Sequence, residues 1–233
     1  MIKKLSILCL SILFCGSVAW AADSAGNRKD SIIMLGMAPV GIHPATLLAA
    51  PARVAVILGD LTVGIDAGSG SSSYYTTGKA TTFLTTTSGT YTNQGLNARY
   101  FFGNSFNASL GYHMRNFSGI TTATGVTIDL SLSSANWVTY PTETFTIDAK
   151  TSAATIGIGN HWLLDWGLWI GGDWVLASSA ISESSKATST NTTGTVSATQ
   201  SAQFKKDAEA LGDLINGISA SSGFAVLTIG FAF

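Results

Sequence analysis

Ala225-Val226-Leu227-Thr228-Ile229-Gly230-Phe231-Ala232-Phe233 carries apolar side chains at residues 225, 227, 229, 231 and 233. Thr228, Gly230 and Ala232 between them are polar or small. A period of two is the side-chain period of a strand whose two faces meet different surroundings. The same pattern recurs upstream. Phe106, Ala108, Leu110, Tyr112 and Met114 alternate with Asn107, Ser109, Gly111, His113 and Arg115. Leu96, Ala98 and Tyr100 alternate with Asn97 and Arg99, and Leu61, Val63 and Ile65 with Thr62, Gly64 and Asp66. Ala154, Ile156 and Ile158 face away from Thr155, Gly157 and Gly159. Leu168, Ile170, Trp174 and Leu176 do the same against Trp169, Gly171 and Asp173.

Composition says what the apolar faces meet. Mean hydropathy is +0.33 although only 11% of residues are charged, against about a quarter in soluble domains. No segment after the N-terminal one is apolar for the ~20 residues that a spanning helix needs. An apolar average without long apolar runs is what alternating strands in lipid produce. The net charge of −1 gives no electrostatic basis for binding nucleic acid.

The N-terminus has the layout of a secretory signal. Basic Met1–Lys4 is followed by apolar Leu5–Cys15 and by the small residues of Ala19-Trp20-Ala21. Cleavage is expected between Ala21 and Ala22, so that 1–21 is a signal peptide. Cys9 and Cys15, the only cysteines, both lie within it, which leaves the mature chain no disulfide, thiolate ligand or cysteine nucleophile.

Together, the signal, the alternating strands and the closing Phe233 resemble the small bacterial outer-membrane β-barrels of OmpA-like and OmpW-like architecture. In such barrels Ala225, Leu227, Ile229, Phe231 and Phe233 would be the C-terminal insertion signal. The resemblance implies an all-β, antiparallel up-and-down transmembrane barrel assembled by the barrel-insertion machinery in the outer membrane of a Gram-negative cell. It is architectural and brings no active-site motif.

Weaker strands over Val126–Leu132 and Trp137–Ile147, the latter limited by Pro141, bring the expected count to eight. A strand of about ten residues at ~3.3 Å each, tilted by ~40°, spans ~25 Å of membrane. The barrel is placed over 53–233, after a lead-in of 22–52. Within that lead-in, Ser31–Pro51 is broken by Pro39, Pro44 and Pro51 and reads equally as irregular chain, lumen filling or part of a first strand. Tight turns at Gly103-Asn104-Ser105 and Leu164–Gly167 belong on the periplasmic side. They are bracketed by Tyr100, Phe101, Phe102 and Phe106, and by Trp162, Trp166 and Trp169, as an aromatic girdle. Ser/Thr-rich 68–90 and 177–203 are expected as long extracellular loops. Phe204, Ala208, Leu211, Ile215 and Ile218 mark an amphipathic helix over 201–219 in the last extracellular connection.

The lumen is expected to hold the charges Asp60, Asp66, Arg99, Arg115 and Asp173, paired because an unpaired buried charge is costly. Arg99 is expected to meet Asp60 or Asp66 on the neighbouring strand. His113 and Ser109 share a face, but no third group orients them as a nucleophile and base. His161 reads as an interface residue beside Trp162, and His43 has no assignment. No metal-ligand spacing, cofactor motif or catalytic set is recognisable, so no enzyme is expected. The leading expectation is a monomeric barrel with a structural or surface-interaction role, in contact with outer-membrane lipid and with an extracellular partner of its loops or helix. Transport of small apolar solutes is the alternative, and lipid modification ranks behind it.

Overall fold

The computed structural model describes residues 23–42, 50–72, 75–76, 82–125 and 141–233. The expected signal peptide with its expected cleavage residues Ala21 and Ala22, His43 and the expected strand over Val126–Leu132 lie outside them. In order, the elements are α1 (Ser24–Asp30), β1 (Ile33–Ile42), β2 (Ala52–Leu58), β3 (Leu61–Ser72), β4 (Tyr75–Thr76) and β5 (Thr82–Phe101). They continue as β6 (Phe106–Gly125), β7 (Thr142–Leu163), β8 (Leu168–Thr193), α2 (Ala198–Ser219) and β9 (Gly223–Ala232).

Every strand pairing is antiparallel. Pairing of β1 with β9 and of β3 with β5 closes a ring of 8 strands, and β4 adds two residues alongside β5. The closure is tied at the chain end, where Phe233 N donates to Ile33 O (2.9 Å) and Ile33 N to Phe233 O (3.2 Å). Three tight connections share that end of the barrel: Gly59-Asp60, 102–105 and 164–167. Each contains a glycine with positive φ, namely Gly59 (64°), Gly103 (87°) and Gly167 (90°), a conformation that costs other residues about 1 kcal/mol or more.

The count of eight is reached by a different route from the one the alternation suggests. Ile33–Ile42 is no lead-in: it is the first barrel strand, and Ala52–Leu58 is the second. Both lack visible alternation because the inward side chains Met34, Ala38, Ala55 and Ile57 are as apolar as the outward ones, and Arg53 is the single charged residue on the inward face of β2. Pro39, which has no N–H to give the ladder, falls where the β1–β9 register shifts between Met37 and Val40. The described part of Trp137–Ile147 is likewise no separate strand. Residues 142–147 run unbroken into β7, which begins just after Pro141.

The Ser/Thr-rich segments also depart from the expected loops. All of 82–90 and of 177–193 is strand, so β5 and β6 reach 20 residues, β7 22 and β8 26. Threonine is a good strand former, and a stretch such as 177–193, polar on most of both faces, shows no hydrophobic alternation. At ~3.3 Å per residue and ~40° tilt, twenty residues rise ~50 Å, about twice the apolar band of a membrane barrel. The upper halves of β5–β8 therefore form a curved sheet standing above the short strands β1, β2 and β9.

Helix α2 fills the concave side of that sheet. Ser197 and Gln200 form a reciprocal capping box at its start. Phe204, Ala208, Leu211 and Ile215 pack onto Tyr91, Phe117, Phe145, Ile147 and Ala187. Ile218, expected on the same buried face, is 38% exposed, and Ser219 is buried near it. Asn216 pins the helix from its side chain, donating to Ser184 O (2.9 Å) and accepting from Thr151 Oγ1 (2.9 Å).

Candidate functional site: a polar lumen between two helices

Inward residues follow directly from strand parity. On β6 and β7 the odd-numbered side chains point in, which places Asn107, Ser109, His113, Arg115, Thr151, Thr155 and His161 in one buried column around the lumen.

The lower end is built of aromatic and aliphatic groups. Met34, Ala55, Ile57, Phe101, Leu163, Trp169 and Ala232 form one buried cluster, with Phe101 and Trp169 edge to face at 5.6 Å. These two rings therefore leave the expected girdle and belong to the interior; Tyr100, Phe102, Phe106 and Trp166 are the outward ones. Beneath the cluster, α1 is fastened to the turns. The Arg28 guanidinium lies 4.0 Å from the Phe101 ring centre. It donates to the carbonyls of Gly103 and Asn104, both at 2.6 Å, and reaches Asp60 Oδ1 at 3.3 Å. Burial lowers the Arg28 pKa while Asp60 pulls it back up. Ser24 Oγ accepts from Leu163 N (2.9 Å), and Asn27 Nδ2 donates to Leu163 O (2.9 Å). Asp60 is thus a turn residue holding α1, not a lumen charge.

Above the apolar cluster sit the charges. Arg53 on β2 faces Asp66, its direct cross-strand partner on β3, through two bonds: Nε to Oδ1 at 2.6 Å and Nη2 to Oδ2 at 3.0 Å. That fork occupies both carboxylate oxygens. Arg99 therefore finds neither Asp60 nor Asp66, as expected from adjacency, but crosses the lumen to Asp173 Oδ2 on β8 at 2.9 Å. The other Asp173 oxygen lies 3.4 Å from His161 Nε2. Because His161 Nδ1 accepts from Trp169 Nε1 at 3.1 Å, the ring proton belongs on Nε2, facing the carboxylate. His161 is 1% exposed: it is an interior hinge between the aromatic cluster and the charge layer rather than an interface residue.

Arg115 closes the layer from above. Its Nε donates to Asn93 Oδ1 (3.4 Å), and its Nη1 donates to Ser219 O at the C-terminus of α2. A cation there complements the negative end of the helix dipole. Between these groups lies a cavity of about 50 Å³, whose lining includes Arg53, Asp66, Asn97, Arg99, Ser109, His113, Arg115 and Asp173.

Four of the five expected lumen charges are therefore inside, and Asp60 is not. Arg53 is an interior residue that alternation missed, and His161 and Trp169 are interior although their aromatic neighbours marked them for the interface. Arg53 was legible only with the β2–β3 register, which sets it against Asp66. The Ser109 hydroxyl and the His113 ring do not form a nucleophile–base pair: Ser109 Oγ and His113 Nδ1 each lack a hydrogen-bond partner among the described residues. Among the described residues no three His, Cys, Asp or Glu side chains converge as metal ligands. What the lumen can do chemically is neutralise charge pairs across its width and offer hydrogen-bond donors to something small.

No protein-family model, curated protein or solved structure matches this chain.

Proposed function

We propose that the protein is an outer-membrane β-barrel with a structural or surface-interaction role, presenting its tall Ser/Thr hairpins and α2 outside the cell. One observation carries the membrane reading. Phe231, Leu35, Val54, Ile65, Leu96 and Tyr112 are successive cross-strand partners from β9 through β1, β2, β3 and β5 to β6. All point outward and are 40–60% exposed. The pairs Leu110–Ile156 and Ile170–Ile229 continue the belt through β7 and β8. A continuous exposed belt on this scale exceeds the few hundred Å² that a water-soluble monomer tolerates, and lipid is the solvent that accommodates it.

The surface-interaction role rests on what lies inside and above the belt. Packed Phe101 and Trp169, crossed by the Arg99–Asp173 pair, leave little path for a solute, whereas the upper hairpins extend about as far again as the belt is tall. Transport of apolar solutes would need that interior to open.

Cell fractionation and planar-bilayer recording test the reading together. The protein is expected in the outer-membrane fraction, extracted only by detergent, with unboiled and boiled samples migrating differently on gels and with no steady conductance. Recovery in the soluble periplasmic fraction overturns the membrane reading. A stable open channel overturns the closed-lumen role in favour of transport.

A further inference from the structure

We infer that the lumen is a binding site for a small monovalent anion of halide size, held by Arg99, Asn97, Ser109 and His113. The inference concerns the interior and does not depend on which solvent surrounds the barrel.

Three observations converge. First, buried side-chain atoms without a hydrogen-bond partner among the described residues gather on the cavity: Arg99 Nη1, Asn97 Nδ2, Ser109 Oγ and His113 Nδ1. Two of these are donors only, the hydroxyl is able to donate, and the imidazole nitrogen donates in one tautomer. Leaving buried donors unpaired costs about 1–3 kcal/mol each, so the four together call for an acceptor.

Second, the strand register brings the four groups to one place. Arg99 and Ser109 are direct cross-strand partners, Asn97 faces Gly111, and His113 faces Gly95. The two glycines make the floor: a Cβ on Gly95 would lie 2.3 Å from His113 Nδ1, and one on Gly111 would lie 2.8 Å from His113 Nε2. The missing side chains let the imidazole lie flat against β5 and β6 beside Asn97.

Third, the charge count on the cavity wall is uneven. Asp66 is taken by Arg53 and Asp173 by Arg99. Arg115 also lines the cavity and bonds only to an amide oxygen and a carbonyl. Among the described residues one positive charge is left without a carboxylate, and an anion balances it at the depth where an unpaired charge is most costly. A volume of about 50 Å³ accommodates a halide or a few waters.

Bromide is the probe, because it is detectable by anomalous scattering. The purified full-length protein is melted in bromide, chloride and gluconate at equal ionic strength, which holds Debye screening constant. The midpoint is expected to rise with the logarithm of bromide or chloride concentration once the site begins to fill, and to stay flat in gluconate. The halide dependence should vanish in Asn97→Leu and Ser109→Ala. Crystals grown in bromide should show an anomalous peak beside Arg99 and Asn97. Equal midpoints in all three salts, or a halide effect that survives both substitutions, overturns the proposal. If neither variant folds, the anomalous map of the unaltered protein decides: water-only density in the cavity overturns it.

Discussion

At the scale of single residues, the most consequential choice is the partner of Arg99. Sequence order places Arg99 beside Asp60 and Asp66, because β3 and β5 are neighbours. The structure gives Asp66 to Arg53 and sends Arg99 across the lumen to Asp173. Both Arg99 and Asp173 are under 7% exposed in their side chains, so breaking the pair from one side strands a buried charge. Arg99→Ala or Asp173→Ala should each lower unfolding free energy by about 3–5 kcal/mol. The double substitution should recover part of that loss, as read from urea midpoints in micelles. The exposed Lys205–Glu209 pair on α2, at 3.9 Å, is the control. Removing Lys205 should cost at most about 0.5 kcal/mol. The inward orientation of Arg99, Arg115 and Asp173 was legible from alternation alone. Their partners were not, because parity assigns a side chain to a face and says nothing about which charge lies opposite across a closed ring.

At the scale of elements, α2 was legible and its seat was not. Helical spacing from Phe204 to Ile215 marks the buried stripe, yet nothing local reveals that the stripe faces the inner side of the tall Ser/Thr-rich hairpins. The contact is close. A Cβ on Gly212 would lie 2.7 Å from Ser185 Cβ and 3.3 Å from Ile147. Gly212→Leu should therefore lift the helix from β7 and β8 and destabilise the upper half by about 1–3 kcal/mol. Limited proteolysis should then cut within Ala198–Ser219 while the lower barrel stays resistant. Uniform resistance would mean that the helix is not held by this contact. Strands β1 and β2 show the opposite failure of legibility: apart from Arg53, the inward residues Met34, Ala38, Ala55 and Ile57 are apolar, which erases the contrast on which periodicity depends.

For the whole molecule, the outward belt makes the strongest physical demand. Leu110 is 62% exposed within it, and an arginine at mid-depth on a lipid-facing wall costs about 2–4 kcal/mol. Leu110→Arg should sharply reduce the folded fraction seen as heat-modifiable mobility. Thr124→Arg, on the same outward face of β6 but far above the belt, should leave it unchanged. Equal effects at both positions would place the belt in water instead of lipid.

Alternation by itself determined the architecture class, the inward and outward faces of five strands and the closing role of the Ala225–Phe233 stretch, since those depend only on the two-residue period of a strand. It determined the existence of α2 for the same reason, with a period of 3.6. Tertiary structure alone decided that Ile33 begins the ring, that the Ser/Thr segments stand up as sheet, and that Arg99 answers Asp173. Each of these depends on contacts between residues far apart in the chain, which closure of the barrel creates and no local pattern encodes.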